Sequence, residues 1–277
     1  ILQMSSFFSL IGIKNIHISS RQIIILNVFV ITSCICFLMA AVTGSINVPI
    51  ENLIRGDISE LTKIVLIEIR LPRVILAALV GASLGISGAA LQGLFRNPLA
   101  DPGLIGVSAG AALGATLVIV LGSSISGGLF LGSFLLPLGA ISGAMLVIMM
   151  LYLLTKGFGY QGVTYMLLVG IAVNAIAGVG IGILTFISTD SELRGLTFWT
   201  MGSFGGVTWP LLIPAIAIIL ISISSMMTVS RNLDLIQLGE PEAYRLGVDV
   251  KKLKYRIIIS CAAAVGASVS LSGMIGF

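Results

Sequence analysis

The feature that most constrains this chain is where its charges are absent. Seven apolar runs, 22–43, 74–95, 103–122, 133–154, 163–187, 209–229 and 257–277, contain none of its Asp, Glu, Lys or Arg residues. Each is about as long as the roughly 20 helical residues that a bilayer core requires. A charge at mid-bilayer costs several kcal/mol, so this partition reads as an all-α polytopic membrane protein. Composition enters here as a filter. Only 9% of the 277 residues are charged and 57% are apolar, whereas a soluble domain has roughly 25% charged residues. A surface with so few charges excludes a cytosolic globular enzyme, and the apolar content excludes a disordered chain. The net charge of +4 is too sparse for a phosphate-tracking face, so nucleic acid is not a partner and membrane lipid is.

Lys and Arg placement gives the orientation. With the N-terminus inside, the inside segments hold Lys14, Arg21, Arg96, Lys156, Arg231, Arg245, Lys251, Lys252, Lys254 and Arg256, ten in all. The outside segments hold five: Arg55, Lys63, Arg70, Arg73 and Arg194. This excess predicts a cytoplasmic tail over 1–21, followed by a membrane domain over 22–277. The first run is too long for a cleaved signal peptide and lacks a small-residue cleavage site. The last run reaches Gly276-Phe277 without a polar stop, which predicts that further chain follows.

Small residues recur at helical spacing in Gly81/Gly85/Gly88, Gly106/Gly110/Gly114, Gly139/Gly143 and Gly178/Gly182. Such faces let helix backbones approach closely, and they could also line a path.

Catalytic motifs fail on context. Gly106-Val-Ser108-Ala-Gly110 has nucleophile-elbow spacing, but it lies in a membrane run and the only His is His17 in the tail. There is no phosphate-cradling GxxxxGK[ST] and no HExxH. Cys34 and Cys36 share a membrane run with no His nearby, so no metal site and no cofactor is expected. No Asp, Glu, Lys, Arg or His lies within a run, which argues against a proton relay and for energy supplied from outside the membrane, while leaving sodium coupling through carbonyls open. Asn174 is the conspicuous mid-run polar residue. It reads either as an interhelical hydrogen bond or as part of a pathway.

Three polar segments carry the rest. Residues 44–73 read as an outside loop ending in Arg70-Leu71-Pro72-Arg73, where the arginines either snorkel or meet an acidic partner. Residues 96–102 read as an inside turn, and Trp199 and Trp209 as interfacial belt residues. Residues 230–256 form a long inside loop. Within it Gly239 ends one short helix, Pro241 suits the first turn of a second, and Gly247 suits the position after that turn. Such helices either lie on the membrane surface or dock in a groove of a soluble partner.

At these segments the chain resembles the membrane permeases of ABC importers for iron-siderophores, haem and cobalamin, the FecCD/BtuC type. The resemblance is carried by Arg70-Leu-Pro-Arg73 and by Gly88-Ala-Ala-Leu-Gln92 running into Asn97-Pro-Leu-Ala-Asp101-Pro-Gly-Leu-Ile-Gly106-Val-Ser-Ala-Gly110. It continues through Trp199-Thr-Met-Gly202-Ser-Phe-Gly205-Gly206-Val-Thr-Trp209, Leu238-Gly239-Glu240, Leu246-Gly247-Val248 and Leu271-Ser-Gly273-Met-Ile-Gly276-Phe277. It runs in order from about residue 60 to the end.

The resemblance implies a BtuC-like, type II importer fold with ten membrane helices, of which this chain supplies about seven and lacks the C-terminal ones. It further implies a permease homodimer in a bacterial inner (plasma) membrane. Two ATP-binding cassette subunits would sit on the cytoplasmic side and hold the ATP and Mg. A periplasmic or extracellular binding protein would deliver the substrate. Carried over by residue, Arg70 and Arg73 would dock the binding protein. Leu238, Gly239, Glu240, Pro241, Glu242, Ala243, Tyr244, Arg245, Leu246 and Gly247 would couple to the ATPases. The segments 97–108 and 193–199 look most like haem-importing members, which ranks haem first as substrate, a ferric siderophore second and cobalamin third. The competing class is an ion-coupled carrier or channel, for which no pore-lining polar set is evident.

Overall fold

The computed structural model describes residues 20–44, 59–125, 132–155 and 162–276, and among these every regular element is a helix. His17, Lys14, Arg55, Lys156, residues 1–19 of the tail and Phe277 lie outside the described residues. The chain divides into two compact units at Ile75/Leu76.

In the first unit, α1 (Ser20–Val42) contributes no buried residue. The segment read as a loop over 44–73 is helical from Glu60, and α2 runs Glu60–Phe95. The Ser59 hydroxyl accepts from the Thr62 N–H and starts this helix earlier than charge alone indicated. A π-turn, Val65–Arg70, follows, with the Leu71 N–H reaching the Leu66 carbonyl. It lies directly before Pro72. A proline supplies no N–H and crowds the carbonyl four residues back, and a local π adjustment lets a membrane helix continue through it.

The second unit starts within α2. Its C-terminal end leads to a turn in which the Asn97 side chain accepts from Leu99 N–H and Asp101 from Gly103 N–H. A 3₁₀ turn, Pro102–Ile105, then precedes α3 (Val107–Ile125). The run expected over 103–122 is therefore split at Gly106, whose φ of 85° suits a residue without a Cβ. The remaining membrane-length helices are α4 (Gly132–Thr155), α5 (Gly162–Ile187), α7 (Trp209–Met227) and α10 (Val250–Ser272). Between them lie α6 (Asp190–Met201), α8 (Ser230–Ile236) and α9 (Glu240–Arg245).

The helix expected over 257–277 begins at Val250 and ends before Gly273, which has φ 71°. Asp249 caps it by accepting from the Lys252 N–H, so Lys251, Lys252, Lys254 and Arg256 fall inside its first turns. That hydrogen bond also holds the Asp249 carboxyl below its ordinary value.

In this unit α3 packs most extensively along α4, and α10 lies against α7, α4 and α3. Of the six helices among the described residues that are long and apolar enough to span a membrane, α10 is the least hydropathic and the most buried, at 72% of its apolar window. The most hydropathic, α1, is 0% buried. Lipid explains the inversion. Where the surroundings are themselves apolar, burial is driven by close packing, and close packing favours Ala, Gly and Ser. Ser268 and Ser272 of α10 satisfy themselves within the helix, on the Ala264 and Ser268 carbonyls, whereas Ser260 donates across to Ser225 of α7. Between α3 and α4, Gly110 and Gly114 pack directly on Gly143 and Gly139, where any Cβ would meet a backbone carbonyl.

Candidate functional site

The segment after α7 is built from its glycines and its proline. Gly239 has φ 116° and Gly247 has φ 88°, backbone conformations that an L side chain rarely adopts. Pro241 sits in the first turn of α9, where its missing N–H is not needed. Ala243 is fully buried and its carbonyl accepts from the Val248 N–H, which closes the turn after α9. The opposite side is bare: Leu238 is 63% exposed, Tyr244 63% and Leu246 58%. Pro241, Glu242, Arg245 and Gly247 are exposed beside them. The ten residues thus form a small knob around the six-residue α9, its exposed face mixing Leu238, Tyr244 and Leu246 with Glu242 and Arg245.

Two side-chain contacts fix the knob to the bundle. Lys254 Nζ on α10 donates to Glu240 Oε2 at 2.7 Å, with side chains only 6% and 13% exposed. Gln237 Nε2 donates to the Gly93 carbonyl at the end of α2 at 2.7 Å. Neither contact was evident in the sequence, because Lys254 read as one more inside cation. Glu240 entered only as part of the short helix.

Asn174 Nδ2 donates to the Gly103 carbonyl at 3.0 Å, pinning the 3₁₀ turn to the middle of α5. Gly170, one helical turn earlier, lies against Leu104 and Ile105 of that turn. Asn174 therefore makes the tertiary hydrogen bond that was one of its two readings.

Arg70 and Arg73 part company. Arg70 is 8% exposed, and its guanidinium donates to the carbonyls of Ala41, at 3.1 Å, and Val42 at the C-terminal end of α1. Cations suit that end of a helix, and Gly44 leaves the room. Arg73 is exposed.

The helix α6 was missed. Its signal is Thr189-Asp190-Ser191-Glu192, a capping-box spacing, and the Glu192 carboxylate accepts from the Thr189 N–H at 2.8 Å. Leu196 of α6 packs with Val120 and Leu184. Beyond it, Ser203 N–H donates to the Ser272 carbonyl at 2.7 Å, and Gly273 lies against the Trp199 carbonyl.

A glycine-seamed helix bundle with paired short helices at one loop defines a multi-pass membrane permease, with the fold of an ABC-transporter membrane subunit. The chain belongs to the FecCD transport family, whose model matches residues 29–277. It is 39% identical over 254 residues to the hemin transport system permease protein HmuU of Yersinia pestis, across 92% of this chain and 75% of that one. It is 34% identical over 220 residues to the cobalamin import system permease protein BtuC of Halobacterium salinarum, across 79% of this chain and 58% of that one. Among solved structures it is similar to an inward-facing conformation of a metal-chelate type ABC transporter. There the TM-score is 0.77 and the identity 30%, over 91% of this chain and 77% of that one.

Proposed function

We propose that this chain is the permease subunit of an ATP-driven importer that carries haem by alternating access. The observation that supports the transport role most directly is the family match over nearly the whole chain, joined to the exposed knob of Leu238, Tyr244 and Leu246. An apolar patch held on a short helix fits a groove on a soluble partner. In this reading the knob seats in ATP-binding cassette subunits, which hold the ATP and Mg, while the permease itself carries no cofactor. Two permease copies form the path in a bacterial inner membrane, with the N-terminus cytoplasmic. A binding protein docks on the outside, where Arg73 is the exposed member of its arginine pair. Closure of the ATPases would move the knob and switch the path between its two openings. Haem is favoured over cobalamin by the longer match to the hemin permease, 39% identical over 254 residues, against 38% over 210 residues to the vitamin B12 import system permease of Klebsiella pneumoniae.

The test is uptake into proteoliposomes containing the permease, its ATPase and its binding protein. ATP-dependent haem accumulation supports the whole reading. ATP-dependent uptake of cobalamin or a ferric siderophore, without haem, keeps the importer and replaces the substrate. Uptake indifferent to ATP and to the ATPase overturns the importer in favour of a carrier or channel.

A further inference from the structure

The function proposed above requires motion at the knob to reach the rest of the bundle, and α10 is joined to the knob at one end. The knob meets the bundle through buried groups, among them Ala243 and the Glu240 side chain. Glu240 begins α9 and Lys254 lies in the second turn of α10. Their 2.7 Å contact is almost closed to solvent. Its neighbour in sequence makes the contrast. Lys252 and Asp249 lie 3.4 Å apart with side chains 87% and 53% exposed. Exposed pairs of that kind are screened and hold little, whereas separating a buried pair strands a charge. The Glu240–Lys254 contact is therefore a stiff joint, and the Lys252–Asp249 contact is not.

The same helix is fastened at its other end. Ser272 is the last residue of α10, and its carbonyl accepts from Ser203 N–H beyond α6. Gly273 lies too close to the Trp199 carbonyl to admit a Cβ. Lys254 and Ser272 are 18 residues apart on α10, which is about 27 Å at the helical rise and close to the thickness of a hydrocarbon core.

We propose that Glu240 and Lys254 are positioning residues that make α9 and α10 move as one body, so that α10 relays displacement of the knob to the α6 end of the bundle. The proposal rests on the importer reading for what displaces the knob. The joint itself does not depend on that reading.

Four variants test it: Glu240→Gln, Lys254→Met, the conservative Lys254→Arg, and the exchange Glu240→Lys with Lys254→Glu. The first readout is amide hydrogen exchange on the detergent-solubilised permease alone. Loss of one buried charge-assisted contact is expected to speed exchange over 240–248 about tenfold or more in the two neutral variants, with α7 unchanged. The second readout is haem moved per ATP hydrolysed in proteoliposomes with the ATPase and binding protein. It is expected to fall about tenfold in the neutral variants, and in Lys254→Met, which alters no residue of the knob, ATPase binding is expected to stay within about twofold. Lys254→Arg and the exchange are expected to recover both readouts.

Unchanged exchange over 240–248 overturns the joint. Faster exchange with an unchanged transport-to-ATP ratio overturns the relay. An exchanged pair that fails to restore a folded, coupled permease also overturns it, and this holds even where the neutral variants do not fold. If wild-type uptake ignores ATP, the importer reading and the relay fall together, while hydrogen exchange still reports on the joint.

Discussion

Arg70 and Arg73 stand three residues apart in one motif and do different work. Arg70 turns inward onto the carbonyls of Ala41 and Val42. A charged donor on such acceptors contributes roughly 1.5–3 kcal/mol. Arg70→Ala is therefore expected to destabilise the protein by about that amount, measured by chemical denaturation in detergent. Arg73 is exposed, so Arg73→Ala should leave stability within about 0.5 kcal/mol. If the binding-protein reading holds, it should instead weaken that association, measured as a rise in Kd. Equal destabilisation by both substitutions would contradict this division. Sequence alone places both cations at a helix start. The direction of each side chain is set by whether a helix end is waiting for it.

At the scale of elements, equal glycine spacing leads to unequal packing. Gly110, Gly114, Gly139 and Gly143 form a closed seam between α3 and α4, whereas Gly178 and Gly182 on α5 face open space. Gly114→Ala or Gly143→Ala must push a methyl into a backbone carbonyl and is expected to cost about 1–3 kcal/mol. Gly178→Ala should be neutral or slightly stabilising, since alanine is the better helix former. Thermal unfolding of the purified variants separates the two groups. Four-residue spacing thus identifies a small face but not what meets it. Helix ends show a similar limit. Hydropathy located the centres of the long helices, but caps moved their boundaries: Ser59 starts α2 early, Asp249 starts α10 early and Gly273 stops it. Gly239, Pro241 and Gly247 punctuate the short helices in sequence as they do in space. The Glu240–Lys254 joint was illegible because no spacing rule announces a buried pair across two helices.

Across the described residues, hydropathy located the long apolar helices but not which of them would be enclosed by protein. The run with the weakest hydropathy, α10, is the best enclosed, and the strongest, α1, is the least. A saturation library read by membrane expression is expected to separate them. On α1, exchanges among Leu, Ile, Val and Phe should be silent and a mid-helix Asp or Lys should not. On α10, Ala264→Leu and Ser268→Leu should fail although both raise hydropathy, because these positions are 0% exposed. Equal tolerance of Leu on the two helices would contradict the packing described.

The enclosure of α10 by small side chains also bears on how such a chain diverges. α1 is held to a solvent preference that many residues satisfy, and α10 to a volume that few do. Distant members of such a lineage would keep the sizes along α10 long after α1 had exchanged one greasy residue for another at nearly every turn.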